Sequence, residues 1–264
     1  MALLQTQFFS QILGIHATMH VILPETSQGI GIGGSQDTTD NSRPLPVLYL
    51  LHGLSDDHSI WLRRTSIERY VAERHLAVVM PAVNRSFYTD QAAGYRYWTY
   101  ISEEVPQVVR HLFKISARRE HTFAAGLSMG GYGALKLGLR LPDRYAAVAS
   151  LSGATNLASF IENPQTQAEG EMIFGSLETY QGSDNDLYAL AKKTAASGGV
   201  KPKIFQCCGT GDFLYQDNLQ FRPYLEKLGY DLVYKEKKDA VHEWGYWDEM
   251  IQQVLDWLPL TKDE

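Results

Sequence analysis

The chain reads Thr122-Phe-Ala-Ala-Gly126-Leu-Ser128-Met-Gly130-Gly131 near its centre, and this stretch decides the fold. Thr122 to Ala125 is a short apolar run that predicts a strand, and Tyr132 to Leu141 predicts a helix rich in small residues. A serine between two glycines, Gly126-x-Ser128-x-Gly130, fits a tight strand-to-helix turn, because larger neighbours would clash there. Such a turn exposes the serine hydroxyl at the helix N-terminus, so Ser128 is predicted to be a nucleophile.

Outward from this turn, apolar runs alternate with glycine-containing turns and helices. The predicted strands are Val47 to Leu51, Ala77 to Met80, Ala146 to Leu151, Ile204 to Cys208 and Leu232 to Lys235; the predicted helices are Val105 to Phe113 and Trp247 to Trp257. This alternation predicts a mostly parallel sheet with helices on both faces. Two earlier apolar stretches, Phe8 to Ile15 and Thr18 to Leu23, predict antiparallel strands ahead of the main pattern.

The alternation lapses between residues 154 and 203, which is too long for a simple loop. Ser183 to Asp186 is a good start for a helix from Leu187 to Ala195. We therefore expect a single α/β domain over residues 1–264, with a small cap-like insertion at about 154–203.

A serine hydroxyl needs a neighbouring base, and in the predicted fold the chain order is serine, acid, histidine. Of the eight histidines only His242 follows Ser128, in a predicted loop before the last helix. Asp212 is the preferred acid because it follows the strand ending at Cys208 through the turn Gly209-Thr-Gly211; Asp217 is the runner-up. The expected catalytic residues are thus Ser128, Asp212 and His242.

Acyl transfer also needs N–H donors for the oxyanion, and this fold takes them from two backbone amides. Met129 follows the nucleophile, and Leu54 ends the loop His52-Gly53-Leu54 after the strand Val47 to Leu51. Leu54 and Met129 are therefore the expected oxyanion donors. His52 itself is interpreted as a structural hydrogen bonder.

Composition excludes several kinds of partner. The chain has 264 residues and a net charge of −6, so it lacks a basic field for nucleic acid or anionic membranes. The sequence before Arg43 holds no lysine or arginine, which argues against a secretory signal and favours a cytoplasmic protein. The only cysteines, Cys207 and Cys208, are adjacent and are expected to be buried without forming a disulfide.

No cofactor and no metal are expected. The stretch Gly29-Ile-Gly-Ile-Gly-Gly34 formally matches a dinucleotide-binding turn, but no helix follows it, and a flexible hairpin connection is the better interpretation. The pair His242-Glu243 lacks the second histidine of a zinc-binding helix.

Aromatic residues leave two interpretations open. Tyr95 to Glu104, which includes Trp98, is rich in aromatics that suit core packing by default and a substrate pocket as the alternative. Trp61 and Phe213 carry the same ambiguity.

Four motifs together resemble the esterase D group, and its bacterial tributyrin-esterase branch in particular, within the α/β-hydrolase superfamily. They are Leu50-Leu-His-Gly-Leu-Ser55, Gly126-Leu-Ser-Met-Gly-Gly-Tyr-Gly-Ala134, Cys208-Gly-Thr-Gly-Asp-Phe-Leu214 and His242-Glu-Trp244. S-formylglutathione hydrolases and secreted mycolyltransferases are similar at a greater distance. The resemblance implies the same triad and oxyanion donors, and a homo-oligomer. Asp56-Asp57 departs from it, because tributyrin-type relatives tend to have a glycine and a polar residue there.

The leading functional hypothesis is hydrolysis of short-chain acyl esters, acetyl to butyryl, through an acyl-enzyme. Thioester hydrolysis of S-formylglutathione is the alternative activity, and acyl transfer to a sugar is disfavoured. A non-catalytic binding protein on the same fold is the alternative of a different class, since fold does not fix function.

Overall fold

The fold is described from a computed structural model over residues 1–25, 43–72 and 74–260. Within these residues eight strands form one sheet, in the order β1-β2-β4-β3-β5-β6-β7-β8. The strands are β1 Ala2–Ser10, β2 Ile15–Leu23, β3 Val47–Leu51, β4 Ala77–Pro81, β5 Thr122–Leu127, β6 Ala147–Leu151, β7 Lys203–Gly209 and β8 Leu232–Lys237. The sheet is mostly parallel, as predicted, and the fold is that of the α/β hydrolases.

The two N-terminal strands are antiparallel, but the predicted bounds of the first were wrong. β1 ends at Ser10, and residues 11–14 form the turn into β2, so the run Phe8 to Ile15 spans a strand end and a turn. Gly14 N–H donates to the Ser10 carbonyl across that turn (2.9 Å). β2 then pairs antiparallel with β4, and every later neighbour in the sheet is parallel.

Helices cover both faces of the sheet. They are α1 Ile60–Arg64, α2 Ile67–Val71, α3 Tyr97–Thr99, α4 Val105–Leu112, α5 Met129–Arg140, α6 Ala158–Glu162, α7 Gln167–Phe174, α8 Leu177–Tyr180, α9 Leu187–Ala196, α10 Tyr215–Lys227 and α11 Trp244–Trp257, with a π-helical turn at Tyr100–Glu104. Apolar residues of α4, α5, α9 and α10 share one buried cluster with alternate residues of β3, while α1, α2 and α11 share a second cluster with the others.

The central strands are apolar apart from Thr122 and Ser150, because they are buried on both faces. Every residue of β3, β4, β5 and β6 is buried, and Tyr49 and Leu50 of β3 point into opposite clusters. Side chains alternate across a strand, so helices on both faces favour apolar residues at nearly every position of the strand. The carboxyl ends of β3, β5, β6, β7 and β8 therefore meet at one edge, where ligands bind in open α/β sheets.

The long segment between β6 and β7 has structure of its own, in the four helices α6 to α9. Asp186 begins α9, as its sequence predicts, since its side chain accepts from the Tyr188 and Ala189 amides. α9 packs against α5 and α10, which places it in the helical layer over the sheet. The cap hypothesis for this segment therefore concerns α6, α7 and α8.

Two sequence expectations concern the glycine-rich stretch and the membrane. The glycine-rich stretch Gly29 to Gly34, interpreted from sequence as a hairpin connection, lies outside the described residues. Among the described helices, none is both long and apolar enough to cross a bilayer.

Candidate active site

Ser128 occupies the sharp turn between β5 and α5. Its backbone is left-handed (φ 53°, ψ −118°), a strained conformation for a residue other than glycine. The Ser128 amide donates to the Leu151 carbonyl (2.9 Å), and the Ser128 carbonyl accepts from Tyr132 (3.1 Å) and Ala154 (3.2 Å). These backbone bonds fix the turn, and its serine side chain is left half-buried at the start of α5.

The flanking glycines are required by close backbone contacts. A Cβ on Gly126 would lie 2.4 Å from the Gly130 carbonyl group, and a Cβ on Gly130 would lie 2.4 Å from the Leu51 carbonyl oxygen. No side chain fits at such distances from backbone atoms, so the spacing Gly-x-Ser-x-Gly follows from packing of α5 against β3 and β5.

Asp212 and His242 form a hydrogen-bonded pair. His242 Nδ1 lies 2.8 Å from Asp212 Oδ2, with the Asp212 side chain fully buried and that of His242 19% exposed. Asp212 follows β7 and His242 follows β8, and these strands are parallel neighbours with Gly209 opposite Lys237. The two loops are joined by the bond from Gly211 N–H to the Ala240 carbonyl (2.9 Å).

The environment of Asp212 favours its ionised form. Burial by itself raises the pKa of this carboxyl, but hydrogen bonds from His242 and the Leu214 amide (2.8 Å) lower the pKa below its ordinary value. An ionised carboxylate only accepts hydrogen bonds, so the proton of neutral His242 sits on Nδ1. Nε2 is then free to act as a base.

The loop His52-Gly53-Leu54 lies beside Ser128. A Cβ on Gly53 would be 3.8 Å from Ser128 Cβ. Among the described hydrogen bonds, neither the Leu54 amide nor the Met129 amide donates to a protein acceptor. Both N–H groups are therefore free to bind an oxygen anion next to the serine.

His52 holds this loop in place, consistent with its interpretation as a structural hydrogen bonder. Its Nε2 accepts from the Val83 amide (3.1 Å), so Nδ1 carries the proton and donates to the Gly53 carbonyl (2.8 Å). Burial lowers the pKa of His52 to about 4, which keeps the ring neutral at pH 7. The Tyr88 hydroxyl also donates to the His52 carbonyl (2.9 Å).

The site contains two supporting residues that sequence reasoning missed. Ser152 is fully buried with a left-handed backbone (φ 47°), and its Oγ accepts from Trp247 Nε1 (3.2 Å). Its side chain also contributes to lowering the pKa of Asp212. Trp247 packs edge-on against His242, with ring centroids 4.7 Å apart. The sequence did offer a signal for Ser152, because this residue directly follows the predicted strand Ala146 to Leu151, at the carboxyl end where the site residues lie.

The two consecutive aspartates of the oxyanion loop have different surroundings. Asp57 Oδ1 accepts from the Ser59 amide (2.8 Å) and hydroxyl (2.6 Å), and so supports the turn into α1. The half-buried Asp56 faces the loop instead, because its Oδ2 is 2.9 Å from the point where a Cβ on Gly53 would sit. Burial raises the pKa of Asp56, against the opposing influence of the Gly53 amide, Arg64 and His242.

The aromatic residues divide between core and surface. Trp61 is buried and donates from Nε1 to the Leu51 carbonyl (3.0 Å), which supports the end of β3. Trp98 is buried under the Lys136 ammonium group (5.0 Å), so core packing accounts for both tryptophans. Phe213 is 75% exposed, and its ring centroid lies 4.6 Å from that of His242.

Ser128, Asp212 and His242 therefore all follow the carboxyl ends of parallel strands, on the same edge of the sheet, and a hydrogen bond joins Asp212 to His242. Over residues 1–25, 43–72 and 74–260, no hydrogen bond joins the Ser128 hydroxyl to His242. Asp217, the alternative acid, lies in the first turn of α10 and is not the partner of His242. No group of three or more described His, Cys, Asp or Glu side chains is arranged to hold a metal ion.

Comparisons with known proteins identify the family and support the fold. Residues 10–258 match the family model Esterase, described as "Putative esterase". An acetyl esterase of Caldicellulosiruptor saccharolyticus is 32% identical over the whole of both chains. A fluorophosphonate-binding serine hydrolase F of Staphylococcus aureus, solved with substrate bound, is 37% identical, with a TM-score of 0.86 over 97% of this chain and 98% of that one. An S-formylglutathione hydrolase of the same organism, solved without ligand, is also 37% identical, with a TM-score of 0.84 over the same shares.

Proposed function

Since this chain belongs to the Esterase family and is a serine carboxylesterase, we propose that Ser128, His242 and Asp212 are its catalytic triad and that it hydrolyses short-chain acyl esters. The observation that carries the triad is the Asp212–His242 pair beside a serine held in a strained turn. Ser128 directly follows β5, and Asp212 and His242 lie in the loops after β7 and β8. The carboxyl ends of parallel strands are where this fold assembles its reacting groups.

The geometry supplies each step of an acyl-enzyme reaction. Ser128 Oγ attacks the acyl carbon while His242 Nε2 takes its proton, and Asp212 stabilises the resulting imidazolium. The Leu54 and Met129 amides bind the negative oxygen of the tetrahedral intermediate. His242 then gives the proton to the departing alcohol. In the second half of the reaction, water attacks the acyl carbon while His242 takes its proton. His242 then returns a proton to Ser128 Oγ, and the carboxylic acid is released.

An aromatic cluster beside the nucleophile favours a short acyl group, from acetyl to butyryl. The Phe87 amide donates to Met129 Sδ (3.4 Å), so Phe87 lies directly against the residue after Ser128. Its ring packs on Phe160 of α6 (4.8 Å) and Phe174 of α7 (5.5 Å). We infer that these rings limit the length of the acyl group, and they are the basis for proposing that α6 to α8 cap the site. The acetyl esterase relative is consistent with this size.

The test of this function is Ser128→Ala. We expect loss of p-nitrophenyl acetate turnover, and of fluorophosphonate labelling, with an unchanged melting temperature. Ser66→Ala is the matched control, because Ser66 is exposed and its side chain makes no capping hydrogen bond to α2. Full turnover by Ser128→Ala would refute the triad. Absence of labelling in the folded wild-type protein would revive the non-catalytic interpretation.

Acyl preference requires its own measurement, as does the thioester alternative suggested by the S-formylglutathione hydrolase relative. We expect kcat/KM on p-nitrophenyl esters to be highest for acetyl to butyryl groups and to fall for longer ones. Specificity is the ratio of kcat/KM values, so S-formylglutathione belongs in the same comparison. A higher kcat/KM on that thioester than on acetyl esters would reverse the ranking of the two activities.

Location and assembly are two further proposals. Cys207 and Cys208 are both free thiols in a buried strand, which suits the reducing cytoplasm, and cell fractionation tests that location. Leu3, Phe9 and Ile15 of the N-terminal hairpin are exposed apolar residues, which suits association into a homo-oligomer. Light scattering on purified protein measures its mass, and a monomer at micromolar concentration would exclude that assembly.

A further inference from the structure

His242 marks the side of the site from which the alcohol leaves. In acyl transfer the histidine hands its proton to the leaving group, so the residues around its ring lie next to the alcohol part of the ester. Trp247 covers one side of the ring from within the core, since it is buried. The open approach to His242 is therefore lined by other residues.

Two residues of opposite character occupy this approach. Phe213 presents a 75% exposed ring whose centroid is 4.6 Å from that of His242. The Asp56 carboxylate lies at the loop beside Ser128. A Cβ placed on Gly53 would be 2.9 Å from Asp56 Oδ2 and 3.8 Å from Ser128 Cβ. Asp56 is also close enough to His242 for its carboxylate to interact with the imidazolium that forms when His242 takes up a proton.

An exposed aromatic face and a carboxylate form the combination that binds organic cations. Aromatic faces attract quaternary ammonium groups, and a nearby carboxylate adds Coulomb attraction. Asp57 supports the turn into α1, whereas the Asp56 carboxylate lies by the Gly53 amide, on the loop next to Ser128. The basic neighbours of Asp56 are His242 and Arg64, and Arg64 is exposed on α1, where solvent screens it.

We propose that Asp56 and Phe213 form a leaving-group subsite that selects esters of cationic alcohols over neutral ones, and neutral over anionic ones. This inference rests on the proposed hydrolase function of Ser128. It also predicts that thioesters of anionic thiols such as glutathione are poor substrates, because their carboxylates would approach Asp56.

The experiment compares kcat/KM at pH 8 for three acetate esters of similar size. The cationic ester is acetylcholine, the neutral ester is its carbon isostere 3,3-dimethylbutyl acetate, and the anionic ester is 3-acetoxypropane sulfonate. We expect the order cation, neutral, anion in the wild-type enzyme. Asp56→Asn should reduce the cation-to-neutral ratio by about fivefold, the upper range for a solvent-accessible charge pair. Phe213→Leu should reduce the ratio by about twofold to fivefold, as for an exposed cation–π contact.

The matched control is Asp231→Asn, which removes the same charge at the opposite edge of the sheet. Asp231 precedes β8 and pairs with Lys203 at the start of β7 (3.3 Å), so the substrate ratios should not change. Equal ratios in wild type and Asp56→Asn would overturn the inference. If Asp56→Asn does not fold, salt serves instead: raising NaCl from about 20 mM to about 500 mM should bring the wild-type ratios together. Ratios insensitive to salt would then overturn it.

Failure of the proposed function has a different signature. If wild-type enzyme hydrolyses none of the three esters, the hydrolase assignment fails. If it hydrolyses 3,3-dimethylbutyl acetate in a Ser128-dependent manner but shows no charge preference, only the subsite fails.

Discussion

Acidification should destabilise this protein through His52, and the size of the effect follows from its burial. His52 is 1% exposed, with Nε2 occupied by the Val83 amide and Nδ1–H bound to the Gly53 carbonyl. Protonating Nε2 would place two donors face to face in the core. Burial therefore lowers the pKa of His52 to about 4 in the folded protein, whereas an unfolded chain titrates near about 6.5.

The sign follows from proton binding. Between these two pKa values the unfolded chain binds a proton that the folded protein does not, so acid favours unfolding. The stability contributed by neutral His52 is complete above about pH 6.5 and is lost as the pH falls towards 4. From pH 7.5 to 4.5 the expected loss of unfolding free energy from this one group is about 2–3 kcal/mol.

The assay is urea unfolding followed by tryptophan fluorescence at both pH values, for wild type and His52→Gln. Glutamine keeps an acceptor for the Val83 amide and does not titrate. Other groups titrate in both proteins, so the difference between the two pH dependences isolates His52. His111→Gln, an exposed position on α4, should reproduce the wild-type pH dependence. If His52→Gln loses as much unfolding free energy as wild type between pH 7.5 and 4.5, the reasoning is refuted.

Two other predictions test the site. Asp212→Asn should lower kcat on p-nitrophenyl acetate by about 10⁴-fold with little change in KM, because the amide stabilises the wrong tautomer of His242; a loss below about tenfold would argue against its role. Gly130→Ala should abolish soluble expression or lower the melting temperature strongly, because its Cβ would lie 2.4 Å from the Leu51 carbonyl. Gly199→Ala, whose nearest contact is 3.4 Å away on the Ser197 side chain, should melt like wild type.

Local patterns in the sequence predicted the fold and the candidate residues well, for identifiable reasons. A strand buried on both faces is built mainly of apolar residues, so β3 and, apart from Ser150, β6 could be predicted from the sequence. The glycines around Ser128 were visible because backbone contacts of 2.4 Å forbid any side chain. The predicted strand bounds Phe8 to Ile15 were wrong for a related reason. Apolar residues there continue from the end of β1 into the turn, where Leu13 is buried, so hydrophobicity did not mark the end of the strand.

Chain order alone selected His242, because no other histidine follows Ser128. Only the tertiary structure showed that its partner is Asp212 and not Asp217, since the choice depends on the register of β7 against β8. The contact between Ser152 and Trp247 could not be predicted for a similar reason: the two residues are 95 positions apart and meet only when β6 and α11 pack.

The sequence by itself therefore determined what each short stretch can be: the strands, the serine turn and the set of candidate side chains. These properties depend on sterics and hydrophobicity within a few residues. The tertiary structure decided which candidate side chains contact each other and which charged groups surround them. Asp56 and Asp57 are an example: they are adjacent in the chain, but the Asp56 carboxylate lies by Gly53 and the Asp57 carboxylate supports the turn into α1. Distances between segments far apart in the chain are fixed by packing of the whole sheet, and no local pattern carries that information.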